Sequence, residues 1–334
     1  IINSMKLTKN QIDKLNIELT MNIEPADYAE IEKKKLADCR RRADFKGFRK
    51  GNVPMSLVQR VYGGQVLADS INEVIGTGLQ KFIDDEKLHI LGEPLSSEKQ
   101  PDVDWTSGNE FTFVFDMALS PEVDVEVVAE DEVPNYSVTV SAKEKEDMVA
   151  NLKKYYESKK EEKTDEEIEK EASERLKENY KSEAQWRLSK DIRDFYVNKA
   201  GVELPEAFLK RWLLHANDGK VTAEQVEEEF PAFAEDFKWQ LVRGSLMKKF
   251  ELQVSADDLK DAAKAFVTYQ YAMYGIGNVP QEMIDEAVNN VLHDQKQVER
   301  LAEQVEDQKV LDKIKSVITL KSKKISAEKF KELK

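Results

Sequence analysis

"RRRADFKGFRKGNVPMSLVQRVYGG", residues 40–64, places a glycine-bracketed basic turn between two apolar-striped segments. From Lys33 to Lys50 nine Lys or Arg stand against two Asp, in a chain whose formal net charge is −14. Upstream, residues 25–43 carry Tyr28, Ile31, Leu36, Cys39 and Ala43 at helical intervals. Downstream, Pro54 suits the first position of a short helix that turns Leu57, Val58, Val61 and Tyr62 inward. Gly63-Gly64 is expected to stop that helix. Leu67, Ile71, Ile75, Leu79 and Phe82 then predict a third. On either side, "LNIELTMNI" (15–23) and "EFTFVFDMAL" (110–119) alternate apolar and polar residues, the pattern of half-buried strands. Strand, three helices and strand make an α+β N-terminal domain over residues 1–119.

Alternation continues at Val123, Val125 and Val127 and at Tyr136, Val138 and Val140, which predicts an extended linker over residues 120–150. From 151 to 334 the expectation is an extended all-α domain with helical arms. Its leading feature is a long helix opened by Thr164 and Glu167, a capping-box pair. Ile168, Ala172, Leu176, Tyr180, Ala184, Leu188, Ile192 and Tyr196 recur along it every four residues. A period of four drifts around a 3.6-residue helix, so the stripe must meet different partners along its length. Gly201 and Pro205 break and restart the chain. The restarted helix carries Phe208, Trp212 and His215 on one side, and another spans roughly 223–250. Ser255 with Asp258 caps a further one through Phe266, Val267 and Tyr271, and two more lie near 280–293 and 295–318, before the basic tail "KSKKISAEKFKELK".

Composition narrows the function. A pI near 5.0 argues against a general nucleic-acid coat, DNA included, because most of the surface repels phosphate. The single cysteine, Cys39, permits no internal disulfide and fits a reducing compartment. No 18-residue apolar run predicts a membrane span, and "IINSMKLTKNQ" lacks the apolar core of a signal peptide. Met5 reads as a native start, with residues 1–4 additional to it. The cytosol is the expected compartment. His89, His215 and His293 are far apart, no Cys/His spacing suits a metal, and neither a phosphate loop nor a nucleophile elbow is present. No catalytic residue, metal or cofactor is expected.

The residues of the basic turn also carry a resemblance. "GFRKGNVP", Gly47 to Pro54, resembles the G-F-R-x-G-x-x-P signature of bacterial trigger factor, the chaperone family that docks at the ribosomal tunnel exit. "MSLVQRVYG", "ILGEP" (90–94) and "FTFVFDMALSPEVDV" (111–125) are similar to other parts of that family. More weakly, so are "NKAGVELPEAFL" and "GSLMKKFELQVSADDL". The resemblance implies that Gly47, Phe48, Arg49, Lys50 and Gly51 form the docking loop, with Arg42 and Lys46 adding to its field. The partners would be a tunnel-exit protein and rRNA on one side, and nascent or unfolded polypeptides on the other. Apolar residues of the helical region, with Phe233, Phe237, Tyr271, Met273 and Tyr274 as candidates, would hold those clients without ATP. A homodimer is the expected form when free. The family's usual prolyl isomerase domain has no room near positions 140–165, so isomerase activity is the alternative function and is not expected.

Overall fold

The computed structural model describes residues 5–333; residues 1–4, which the sequence reading set before a Met5 start, and Lys334 lie outside the described residues. The chain divides into two compact units. One joins the residues up to Glu122 with Glu203–Ala234, and the other joins Val123–Val202 with Glu235 to the C-terminus.

The first unit is built on an antiparallel sheet ordered β1 (Lys6–Gln11), β2 (Asn16–Ile23), β4 (Phe111–Leu119) and β3 (Ile90–Ser96). Ile17, Leu19, Met21 and Ile23 on β2 are buried, and face Met117, Phe115, Phe113 and Phe111 across the register. Two helices cover this face, α1 (Pro25–Arg42) and α2 (Met55–Asp85), whose Tyr28, Leu67, Ile71 and Val74 close the core with Met21, Ile23 and Phe111. The Asp13 carboxylate accepts from the N–H groups of Leu15 and Asn16, at 2.8 and 2.9 Å, and so shapes the β1–β2 turn.

Here the expected three helices are two. Gly63-Gly64 does not stop a helix, because α2 runs through it for 31 residues. Neither glycine has positive φ, so neither serves as a left-handed cap. Each costs about 1 kcal/mol relative to Ala in a helix interior. Two clusters offset that cost: one takes Val58 and Val66, which straddle the pair, and the other takes Leu67, Ile71 and Val74 beyond it. Val61, expected to turn inward, is exposed.

Helix α5 (Glu206–Ala216) belongs to this unit and meets its sheet through Arg211 and Trp212. Arg211 donates to the Asp116 carboxylate at 2.7 Å and to the Ser96 carbonyl at 3.0 Å. Trp212 lies directly over Gly92, where an added Cβ would meet its Nε1 at 2.6 Å.

The second unit is mainly helical. α3 (Ala142–Lys159) and α4 (Asp165–Ala200) form a hairpin, and the Thr164–Glu167 capping box opens α4. All eight residues of the period-four stripe are buried. The stripe changes partners as its drift requires. Ile168 and Ala172 pack on Leu152 and Tyr156 of α3. Tyr180 and Ala184 pack on Tyr136, Val138 and Phe330. Tyr196 donates to Asp131 at 2.7 Å. Burial opposes the charge of Asp131, but bonds from the Lys199 ammonium, the Val128 N–H and the Tyr196 hydroxyl outweigh it and hold the carboxyl below its usual range.

The stretch read as an extended linker is only partly that. It contains strand β5 (Glu132–Thr139) and the first half of α3. β5 pairs in parallel with β6 (Thr319–Ser326), so the tail "KSKK" is a strand inside the helical unit, followed by α10 (Ala327–Lys331). The remaining helices are α6 (Ala223–Lys249), α7 (Ala256–Met273), α8 (Gln281–His293) and α9 (Gln295–Val317). Asp307 of α9 pairs with Arg193 of α4 and accepts from Trp239 Nε1 of α6 at 2.6 Å, which ties three helices together.

Candidate functional site

The basic turn joins α1 to α2 as two consecutive four-residue turns. Phe48 N–H donates to Phe45 O at 3.1 Å, with Gly47 at φ +94°; Asn52 N–H donates to Arg49 O at 2.9 Å, with Gly51 at φ +83°. Each glycine occupies the third position of its turn, where a positive φ is required and a Cβ would be strained. The base of the loop is anchored. Phe45 meets Tyr62 edge-on at 6.2 Å, beside a cluster of Leu36, Ala43, Val53, Val58 and Val66. Arg40 Nε donates to the Val53 carbonyl at 2.8 Å, so the end of α1 holds the returning strand of the loop.

What the anchors leave outside is the tip. Lys46, Gly47, Phe48, Arg49 and Lys50 are all exposed, and Phe48 shows 43% of its surface. Lys35 pairs with Glu73 at 2.9 Å and Arg41 pairs with Asp38. Arg42, Lys46, Arg49 and Lys50 have no carboxylate partner among the described residues. Their charge is therefore available to an external anion, and the fork of Arg49 suits carboxylate or phosphate oxygens. Burying the exposed part of Phe48 would add on the order of 1 kcal/mol.

The other set of predicted residues lies in the second unit, apart from α6's first half. Between Lys264 and Glu282 the segment "AFVTYQYAMYGIGNVPQ" carries no charge, in a chain that is 35% charged. It forms the second half of α7 and the α7–α8 turn. Ile276 N–H reaches Tyr271 O and Gly275 N–H reaches Ala272 O, both at 3.0 Å, with Gly275 at φ +75°. This paired closure satisfies the last carbonyls of α7. Ala263, Val267, Val288 and Leu301 form the core beneath it. Met273 and Tyr274 are 70% and 82% exposed, and Tyr271 is half-buried against the core. Phe233 and Phe237 are half-buried on α6, Phe233 with its ring 5.8 Å from Phe230. Ile276 and Met283 are exposed as well and were not singled out by sequence. The missing charge was the signal that could have found Ile276; Met283 lies just beyond Glu282, outside the uncharged run.

Among the described residues no group of three or more His, Cys, Asp or Glu is placed to hold a metal, and no helix is long and apolar enough to cross a membrane.

Residues 5–152 match the family described as Bacterial trigger factor protein (TF), and residues 184–334 match Probable trigger factor, C-terminal domain. The chain belongs to the trigger factor family. Among its relatives, the trigger factor of Psychrobacter arcticus is 26% identical over 150 residues, covering 45% of this chain and 32% of that protein. That of Saccharophagus degradans is 29% identical over 151 residues, covering 45% and 33%. That of a Geobacter species is 30% identical over 156 residues, covering 44% and 35%. The chain thus spans about a third of the length of these trigger factors. A solved trigger factor chaperone structure is similar over 93% of this chain and 99% of its own, with a TM-score of 0.56 at 14% identity, and so shares the fold.

Proposed function

We propose that this trigger factor is an ATP-independent chaperone that docks at the ribosomal tunnel exit and holds nascent or unfolded polypeptides. Residues 1–119 would supply the docking domain, residues 120–150 the connection and residues 151–334 the client-holding region. The observation that carries the proposal is the loop tip: one exposed aromatic and uncompensated cations, raised on two glycine turns above a locked base. Arg49 and Lys50 would pair with carboxylates of a tunnel-exit protein or with rRNA phosphates, while Phe48 fills an apolar recess. Client holding needs no chemistry. Exposed apolar side chains such as Met273 and Tyr274 offer burial that an unfolded chain gives up once it can bury itself better. The proposal includes no prolyl isomerisation, since residues 142–200 run from α3 through a short turn directly into α4.

Co-sedimentation with ribosomes tests the docking. The triple variant Phe48→Ala, Arg49→Ala, Lys50→Ala should stay in the supernatant while the wild type pellets. A triple variant that pellets as well as the wild type would refute the assignment.

A further inference from the structure

The two-stranded sheet of the second unit has an unclaimed side. β5 pairs with β6 along its whole length, from Glu132↔Thr319 to Thr139↔Ser326. In a parallel pair each strand turns about half of its N–H and C=O groups toward its partner and the rest away from it. Among the described residues no strand lies on the outer side of β5, and no side chain or loop carbonyl bonds the main chain of Asn135–Val138. A groove of about 860 Å³ runs there, walled by α4 and α9. It touches four consecutive residues of β5, Asn135 to Val138, and none of β6. Tyr136 and Val138 point into the core with Tyr180 and Phe330, so Asn135 and Ser137 lie on the opposite face. A groove that reaches both kinds of position runs along the strand's edge. Pro134, just before it, is a residue that strands accept at an open edge.

Two further features say what would fit. Trp186 of α4 borders this groove and is 67% exposed, and it also borders a second groove of about 570 Å³. The charges around the first groove are largely spent on one another, as in Arg193 with Asp307 and Lys315 with Asp312. The site therefore offers main-chain donors and acceptors plus one large apolar surface, and little charge selection. We propose that the β5 edge takes an extended segment of an unfolded polypeptide as an added strand, with an apolar side chain of that segment seated on Trp186. Four residues of edge span about 13 Å, enough for two or three main-chain hydrogen bonds. Recognition through the backbone is tolerant of sequence, which suits a holder of many clients. The inference rests on the chaperone reading above and locates one of its contacts.

The test uses the full chain and a fluorescein-labelled nine-residue peptide of alternating Thr and Val with a central Phe, beside the same peptide N-methylated through its centre. The parent peptide should bind and should slow amide exchange at residues 135–138. The N-methylated form should bind at least about tenfold more weakly, from the loss of those hydrogen bonds. Trp186→Ala should weaken the parent peptide while leaving thermal stability unchanged, because the side chain is largely exposed. Equal binding of both peptides, or unchanged exchange at 135–138, overturns the inference. So does protection of those amides in the protein alone with a sedimentation mass of two chains, which would assign the edge to a second copy. A control with a denatured client separates the two readings. A chain that suppresses client aggregation but fails the peptide test loses only this inference, whereas one that suppresses nothing loses the chaperone reading itself.

Discussion

Three glycines show how a single missing side chain can be read at different depths. Gly47 and Gly51 are legible directly, since two glycines around exposed cations and an aromatic imply a tight tip, and both have positive φ. Gly92 is legible only as part of "ILGEP", a family likeness with no physical reason attached. The structure supplies the reason. At φ +69° an L side chain is already strained, and its Cβ would lie 2.6–2.8 Å from the indole of Trp212. Gly92→Ala should therefore cost about 2–4 kcal/mol, combining overpacking with a left-handed backbone penalty. Trp212→Ala removes the clash but not the backbone strain. In a double-mutant cycle the pair should be less destabilised than the sum of the singles, by at least about 1 kcal/mol. Additive losses in urea unfolding would mean that Trp212 yields and that the close approach does not decide this position.

At the scale of elements, periodicity was informative where one face is buried along a whole segment. The stripe on α4 announced both the helix and its change of partners, and the alternation of β2 announced the sheet. The misses share a different cause. α2 passes through Gly63-Gly64 because packing on both sides outweighs a local propensity cost. β1 and β6 are almost wholly exposed, with patterns set by lysine and polar residues, so hydrophobic period could not mark them. β6 also takes its identity from β5, nearly 190 residues away in sequence. The tail is then locked by one carboxylate. Glu144, in the capping box of α3, accepts from Lys331 of α10 at 2.7 Å and from the Tyr180 hydroxyl at 2.5 Å. The Lys331 ammonium first, then Tyr180, hold its carboxyl at about 2, below the usual 4.5. A depressed folded-state value means the contribution is complete above pH 4.5 and is lost as pH falls toward 2. Glu144→Gln should thus lower the urea midpoint clearly at pH 7 and much less at pH 3, because other carboxylates titrate alike in both proteins. A gap of constant size across that range would show that Glu144 acts as a neutral hydrogen-bond partner only.

Over the whole molecule, 65 acidic against 51 basic residues keep most of the surface negative, and two surfaces depart from that background in opposite ways. The α1–α2 loop concentrates uncompensated positive charge, while the α7–α8 turn has no charge at all across residues 265–281. They should answer to different solution conditions. Exposed charges are screened within about 10 Å at 0.1 M salt, and cation contacts to phosphate weaken further as counterions compete. Apolar burial is not screened, and excluded salts strengthen it. Raising sodium chloride from about 50 to about 500 mM should therefore release the chain from ribosomes by tenfold or more, in keeping with several phosphate contacts. Suppression of aggregation of a denatured client, measured by light scattering with no ribosome present, should hold or improve over the same range. Met273→Ser with Tyr274→Ser should reverse the pattern. Both side chains are mostly exposed, so stability should move by less than about 0.5 kcal/mol and ribosome binding should keep its salt response, while client holding falls. If salt abolishes both activities together, or if the double variant holds clients as well as the wild type, then the uncharged hairpin is not where clients are held.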